Sequence, residues 1–103
     1  MPNNSLKRTR TNLVHAGRSP HDNHGVVNPP VYHASTILQP SLDAFEKART
    51  PDWEGYRYGR RGTPTTRAFE EAVANIYSAQ GAVAVSSGLA AVTNSILACV
   101  KPG

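Results

Sequence analysis

Sulfur, acid and long apolar stretches are what this sequence has little of. Its single cysteine, Cys99, excludes an internal disulfide framework. It also leaves His15, His21, His24 and His33 without the cysteine partners or the spacing of a zinc site, so in a polar arm they read as solvated. Cys99 has apolar neighbours on a predicted helix and reads as a small buried thiol. The longest apolar run covers residues 96–100, far too short to cross a membrane. No run of lysine and arginine spans five residues, which argues against a generic nucleic-acid binder despite a net charge of +4 and a pI near 9.6. The first 21 residues hold no acid, and no apolar stretch follows their basic side chains. That argues against a secretory signal, keeps an organellar leader open, and makes the cytoplasm the expected location. There is no internal repeat.

What is present fits one small domain at most. The chain has 103 residues, 39% of them apolar, with a mean hydropathy of −0.42, and the apolar deficit falls in the first two-thirds. The positive charge divides into a tail (Lys7, Arg8, Arg10, Arg18) and a knot (Arg57, Arg60, Arg61, Arg67).

The chain is organised around residues 82–99. Residues 82–85 read as a short apolar strand buried on both faces, Ser86-Ser87-Gly88 as a tight turn, and a helix opens at about Leu89 on the stripe Leu89, Val92, Ile96 and Leu97. Such a turn leaves backbone N–H groups unpaired at the positive end of a helix dipole. It can hold a phosphate or carboxylate, with Gly88 allowing close approach and Ser86 or Ser87 offering a hydroxyl. An ordinary corner capped by Ser87 is the alternative at this point.

Before this stretch, residues 1–10 are polar and basic and read as disordered, and residues 18–30 as a loop. Pro29 and Pro30 keep helix out of their neighbourhood. Ser41 can cap a short helix over about 41–49. Residues 50–63 are irregular yet carry Trp53, Tyr56, Tyr58 and three arginines, side chains that gain most by stacking or pairing against something else. Thr63-Pro64 opens a helix with the stripe Phe69, Ala72, Val73, Ile76 and Tyr77 and with Glu70 and Glu71 outward. A strand of the buried kind needs neighbours, and no second one is evident, so residues 1–103 are not expected to form a self-sufficient core.

Four segments now carry a resemblance: Leu13-Val14-His15-Ala16-Gly17; Val27-Asn28-Pro29-Pro30-Val31-Tyr32; Tyr58-Gly59-Arg60 through Pro64-Thr65; and Ser86-Ser87-Gly88-Leu89-Ala90-Ala91. Together, in this order, they resemble the Cys/Met-metabolism family of pyridoxal-phosphate (PLP) enzymes, over about nine-tenths of the chain. Arg60-Arg61-Gly62-Thr63 looks most like the cystathionine β-lyase branch, although the family commonly has asparagine where Thr63 stands.

The resemblance implies an α/β fold: an N-terminal arm (residues 1–62) and the start of the large PLP-binding domain of a fold-type I enzyme (residues 63–103), incomplete here. It implies that Ser87 and the amides of Gly88 and Leu89 hold the cofactor phosphate. It implies that Tyr58 and Arg60 reach the same phosphate in the neighbouring active site of a homotetramer. The implied reaction converts cystathionine to homocysteine, pyruvate and ammonia. The lysine that carries the cofactor has no counterpart in Lys7, Lys47 or Lys101, so the 103 residues are expected to be inactive alone. A cystathionine γ-synthase, γ-lyase or methionine γ-lyase, or a non-catalytic subunit-interaction module, are the alternative readings.

Overall fold

The structure is a computed structural model that describes residues 4–103, with side chains from Thr9 onward. Four α-helices and two 3-10 turns make up its regular structure: α1 (Asn4–His15), a turn at Pro20–Asn23, α2 (Leu42–Lys47), a turn at Gly59–Arg61, α3 (Pro64–Tyr77) and α4 (Gly88–Cys99). Only α1 and α3 pack on each other among the described residues.

The amino terminus departs from expectation. Residues 1–3 lie outside the described residues, but from Asn4 the expected disordered arm is helix. The physical reason is a docking partner. At the end of α1 the chain turns through Gly17 (φ +70), and a Cβ there would come 2.3 Å from the Ala68 carbonyl oxygen and 3.0 Å from the Ala72 methyl. Glycine is therefore required twice, by the left-handed backbone and by the close approach to α3.

The helix starts follow local chemistry. Ser41 caps α2, its hydroxyl accepting from the Ala44 N–H at 3.1 Å. Thr63 caps α3 in the same way through Thr66 N–H, and Pro64 takes the first helical position, where its missing N–H costs nothing. Thr63 and Ala48 are the buried residues of the described chain, 6% and 4% exposed.

The expected strand is absent. Residues 82–85 form none, and the described chain holds a single isolated antiparallel bridge, Thr36 to Tyr58. A strand exists only by pairing, and nothing in these residues presents an edge to 82–85, so Val83 stands 84% exposed rather than buried on both faces. The α/β reading is corrected to that extent: the described residues are helix and irregular chain. Cys99 is likewise exposed, because nothing packs on that end of α4.

The radius of gyration is 17.3 Å, against about 13 Å for a compact domain of this length. The accessible surface is 9009 Å², against roughly 5,700 Å² for a folded monomer of this mass. Large apolar side chains on α3 and α4, Phe69, Tyr77, Leu89 and Leu97 among them, stay in contact with solvent. The chain holds elements in place without enclosing a core.

Candidate anion-binding site

The turn before α4 leaves backbone donors open at a helix start. Ser87 is extended (φ −159, ψ 161) and caps the helix, its hydroxyl accepting from the Ala90 N–H at 3.1 Å and its carbonyl from the Ala91 N–H at 3.1 Å. The Ala91 bond opens the helix ladder, so the cap pairs one of the four orphan amides, that of Ala90. The N–H groups of Gly88 and Leu89, like that of Ser87 itself, donate to no described residue. No acidic residue stands in the first turn, so the positive end of the dipole is uncompensated.

Gly88 is not needed by the fold. Its φ is not in the left-handed range, and a Cβ built on it would meet nothing within 4 Å. Its missing side chain leaves open space beside the unpaired Gly88 and Leu89 amides.

Tyr58 and Arg60 are held by a different device. Gly59 donates its N–H to the Ser35 carbonyl at 2.7 Å, and a Cβ on it would fall 1.5 Å from the Ala34 carbonyl oxygen. With the Thr36–Tyr58 bridge, this locks the loop onto the extended arm. Thr65 secures the other side: its hydroxyl accepts from the Tyr32 N–H at 2.8 Å and donates to the Pro30 carbonyl at 2.7 Å. The Arg60 guanidinium lies 5.8 Å from the centroid of the Tyr58 ring and is otherwise unpaired among the described residues. Phenol and cation are presented together, outward, on an irregular but fixed loop.

The structure thus gathers the expected residues into two groups. Ser87, Gly88 and Leu89 form one; Tyr58 and Arg60 form the other. No hydrogen bond or ring contact among the described residues joins the groups.

Sequence reasoning missed two features. Tyr58 also borders a cavity of about 340 Å³ lined by Arg49, Arg57 and Arg61 over Ile37, Phe45 and Ala48. The arginine knot was visible in sequence, but Arg49 lies too far from it along the chain to be grouped. Glu70, read as outward, instead accepts from the Ala84 N–H at 2.7 Å, fourteen residues on. Among the described residues, no three His, Cys, Asp or Glu side chains come together as metal ligands. No described helix is long and apolar enough to cross a membrane.

Comparison with known proteins places this geometry in context. The family model for Cys/Met metabolism PLP-dependent enzymes matches residues 10–103. A Rhizobium johnstonii protein provisionally named cystathionine beta-lyase is 50% identical over 90% of this chain and 22% of its own length. The cystathionine beta-lyase of Coxiella burnetii is 38% identical over 98% of this chain and 24% of its own. The cystathionine gamma-lyase of Dictyostelium discoideum is 39% identical over 89% and 21%. The chain therefore spans about a quarter of the length of the curated relatives it matches.

Proposed function

From a chain that belongs to the Cys/Met metabolism family of PLP-dependent enzymes, we propose a part in a carbon–sulfur lyase that cleaves cystathionine to homocysteine, pyruvate and ammonia. The family is PLP-dependent, and bound PLP supplies an electron sink for bond cleavage next to the amino-acid Cα. In this reading residues 1–62 are the arm and residues 63–103 begin the cofactor domain. The observation that carries it is the pair of unclaimed amides on Gly88 and Leu89, at a helix start where glycine serves no need of the chain itself.

The chain's own residues then divide the work. Gly88 and Leu89 donate to the phosphate, and Ser87 fixes the helix start while keeping its hydroxyl proton free to donate. Tyr58 and Arg60 supply a phenol and a guanidinium to the phosphate of a neighbouring identical subunit, which accounts for the absence of any hydrogen bond or ring contact between them and Ser87, Gly88 or Leu89 among the described residues. A near-dianionic group is well matched by a guanidinium fork and backbone donors together. None of Lys7, Lys47 and Lys101 serves as the lysine that carries the cofactor, so the 103 residues alone are inactive.

Relatives named for gamma-elimination and synthesis resemble the chain as well, such as the L-methionine gamma-lyase of Pseudomonas putida, at 28% identity, and the cystathionine gamma-synthase of Mycobacterium bovis, at 34%. The choice among reactions is tested by product. The assembled protein supplied with cystathionine should release pyruvate with homocysteine; 2-oxobutyrate with cysteine would move the assignment to gamma-elimination. Arg60→Ala should weaken retention of PLP by about 2 kcal/mol, the worth of a charged hydrogen-bond partner. Unaltered retention would remove Arg60 from the site.

A further inference from the structure

We infer that Glu70 is a positioning residue for the anion-binding turn, acting through the backbone of Ala84. This rests on the reading of Ser87, Gly88 and Leu89 as a phosphate site and names what holds that site in place.

Helix α4 packs against no other helix among the described residues. Between the end of α3 and its start, residues 78–87 make a linker, and beneath residues 80–82 lies a cavity of about 380 Å³ bordered by Glu54, Arg67, Glu70, Glu71 and Ala74. Residues 80–82 therefore rest on little. The hydrogen bond that ties the linker to α3 further on is the 2.7 Å bond from the Ala84 N–H to the Glu70 Oε1, both residues partly buried. An ionised acceptor makes this bond stronger than an ordinary amide–carbonyl pair.

Position gives the bond its consequence. Ala84 stands three residues before the capping Ser87, so fixing its amide fixes where the extended backbone enters the turn and where the Gly88 and Leu89 N–H groups aim. Hydrogen bonds to an anion weaken steeply when donors swing off line. A carboxylate on a rigid helix, more than a turn from either end of α3, is a firm anchor for that entry. Glu70 touches neither phosphate nor substrate in this account; it acts only through Ala84.

The test compares Glu70→Leu, Glu70→Gln and wild type in the assembled protein, with and without PLP. Without PLP, Glu70→Leu should speed hydrogen exchange of the Ala84 amide by about tenfold or more, and Glu70→Gln, which keeps a carbonyl acceptor, should restore protection. With PLP, Glu70→Leu should lower cofactor affinity about tenfold and shift the phosphorus-31 resonance of the bound phosphate, with Glu70→Gln again returning both toward wild type. Exchange at Ala84 that ignores Glu70→Leu overturns the inference. So does faster exchange with an unmoved phosphorus resonance and affinity, since the bond would then be structural only. Should Glu70→Leu fail to fold, Ala84→Pro deletes the same bond from the donor side, and an unchanged phosphorus resonance in that variant overturns the inference equally. Arg60→Ala, run in parallel, separates the two levels. If it weakens PLP binding while the Glu70 variants do not, only the positioning role falls; if neither does, the phosphate reading falls with it.

Discussion

Residues 30–77 and residues 82–103 solve the problem of placing a functional group in opposite ways. The first region is irregular yet tied from several directions: Gly59 to Ser35, Thr36 to Tyr58, Tyr32 and Pro30 to Thr65, Gln39 to Tyr56, and Arg67 stacked 4.5 Å from the Tyr56 ring centroid. The second contains a well-formed helix that no other helix touches among the described residues. Regular secondary structure is thus a poor guide to which part is fixed. Backbone pairing across long sequence separations holds the loop, whereas α4 depends on its own ladder, its Ser87 cap and the Glu70–Ala84 bond.

The sharpest way to break this comparison is Gly59→Ala. The added methyl would overlap the Ala34 carbonyl, a backbone atom that cannot rotate aside. The expected cost is about 3 kcal/mol, read as a rise of roughly two orders of magnitude in exchange at the Gly59-position amide and as loss of the Thr36–Tyr58 contact by NMR. Helix α4 should be unaffected. If exchange in α4 rises in step, the two regions are one cooperative unit and the contrast is wrong.

Thr65→Val comes next. It keeps the shape and deletes the hydroxyl that serves Tyr32 and Pro30, leaving the Tyr32 amide without its acceptor. We expect about 2 kcal/mol of local destabilisation, seen as faster proteolysis between residues 30 and 36 with the α3 amides still protected. Ser87→Ala removes the cap from α4 and should cost about 1 kcal/mol. It should expose the Ala90 amide to exchange and leave the arm and loop as they were.

The helix boundaries and caps were legible because they depend on neighbours in sequence. Ser41, Thr63 with Pro64, and Ser87 each announce a start that needs only the next three residues. Gly88 and Leu89 as amide donors follow from the same local logic. What could not be read depends on partners far along the chain. The amino-terminal helix looked too polar to order itself, because its seat on α3, with Gly17 beyond its end against Ala68 and Ala72, is not written in residues 4–15. Residues 82–85 carry the composition of a buried strand, but composition cannot supply the neighbour that pairing requires. Glu70 looked like a solvated acid on the polar face of α3, and its acceptor role appears only once the chain has turned back fourteen residues later.

Val83→Ser gives the smallest effect and discriminates most finely. Within these 103 residues Val83 is mostly solvated and unpaired, so replacing it should change the local stability of α3 and α4 by less than about 0.5 kcal/mol. In an assembled enzyme where residues 82–85 pair as an interior strand, the same change puts a hydroxyl into an apolar layer and should cost about 2 kcal/mol. Denaturation of the assembled protein and amide exchange in the isolated chain supply the two numbers. A large difference between them means that the valines at 83 and 85 are shaped for a sheet that residues 1–103 do not complete. Equal and small values would mean that residues 82–85 remain an open linker in both settings. Orientation of the turn at Gly88 would then fall to the Ser87 cap and the Glu70 carboxylate alone.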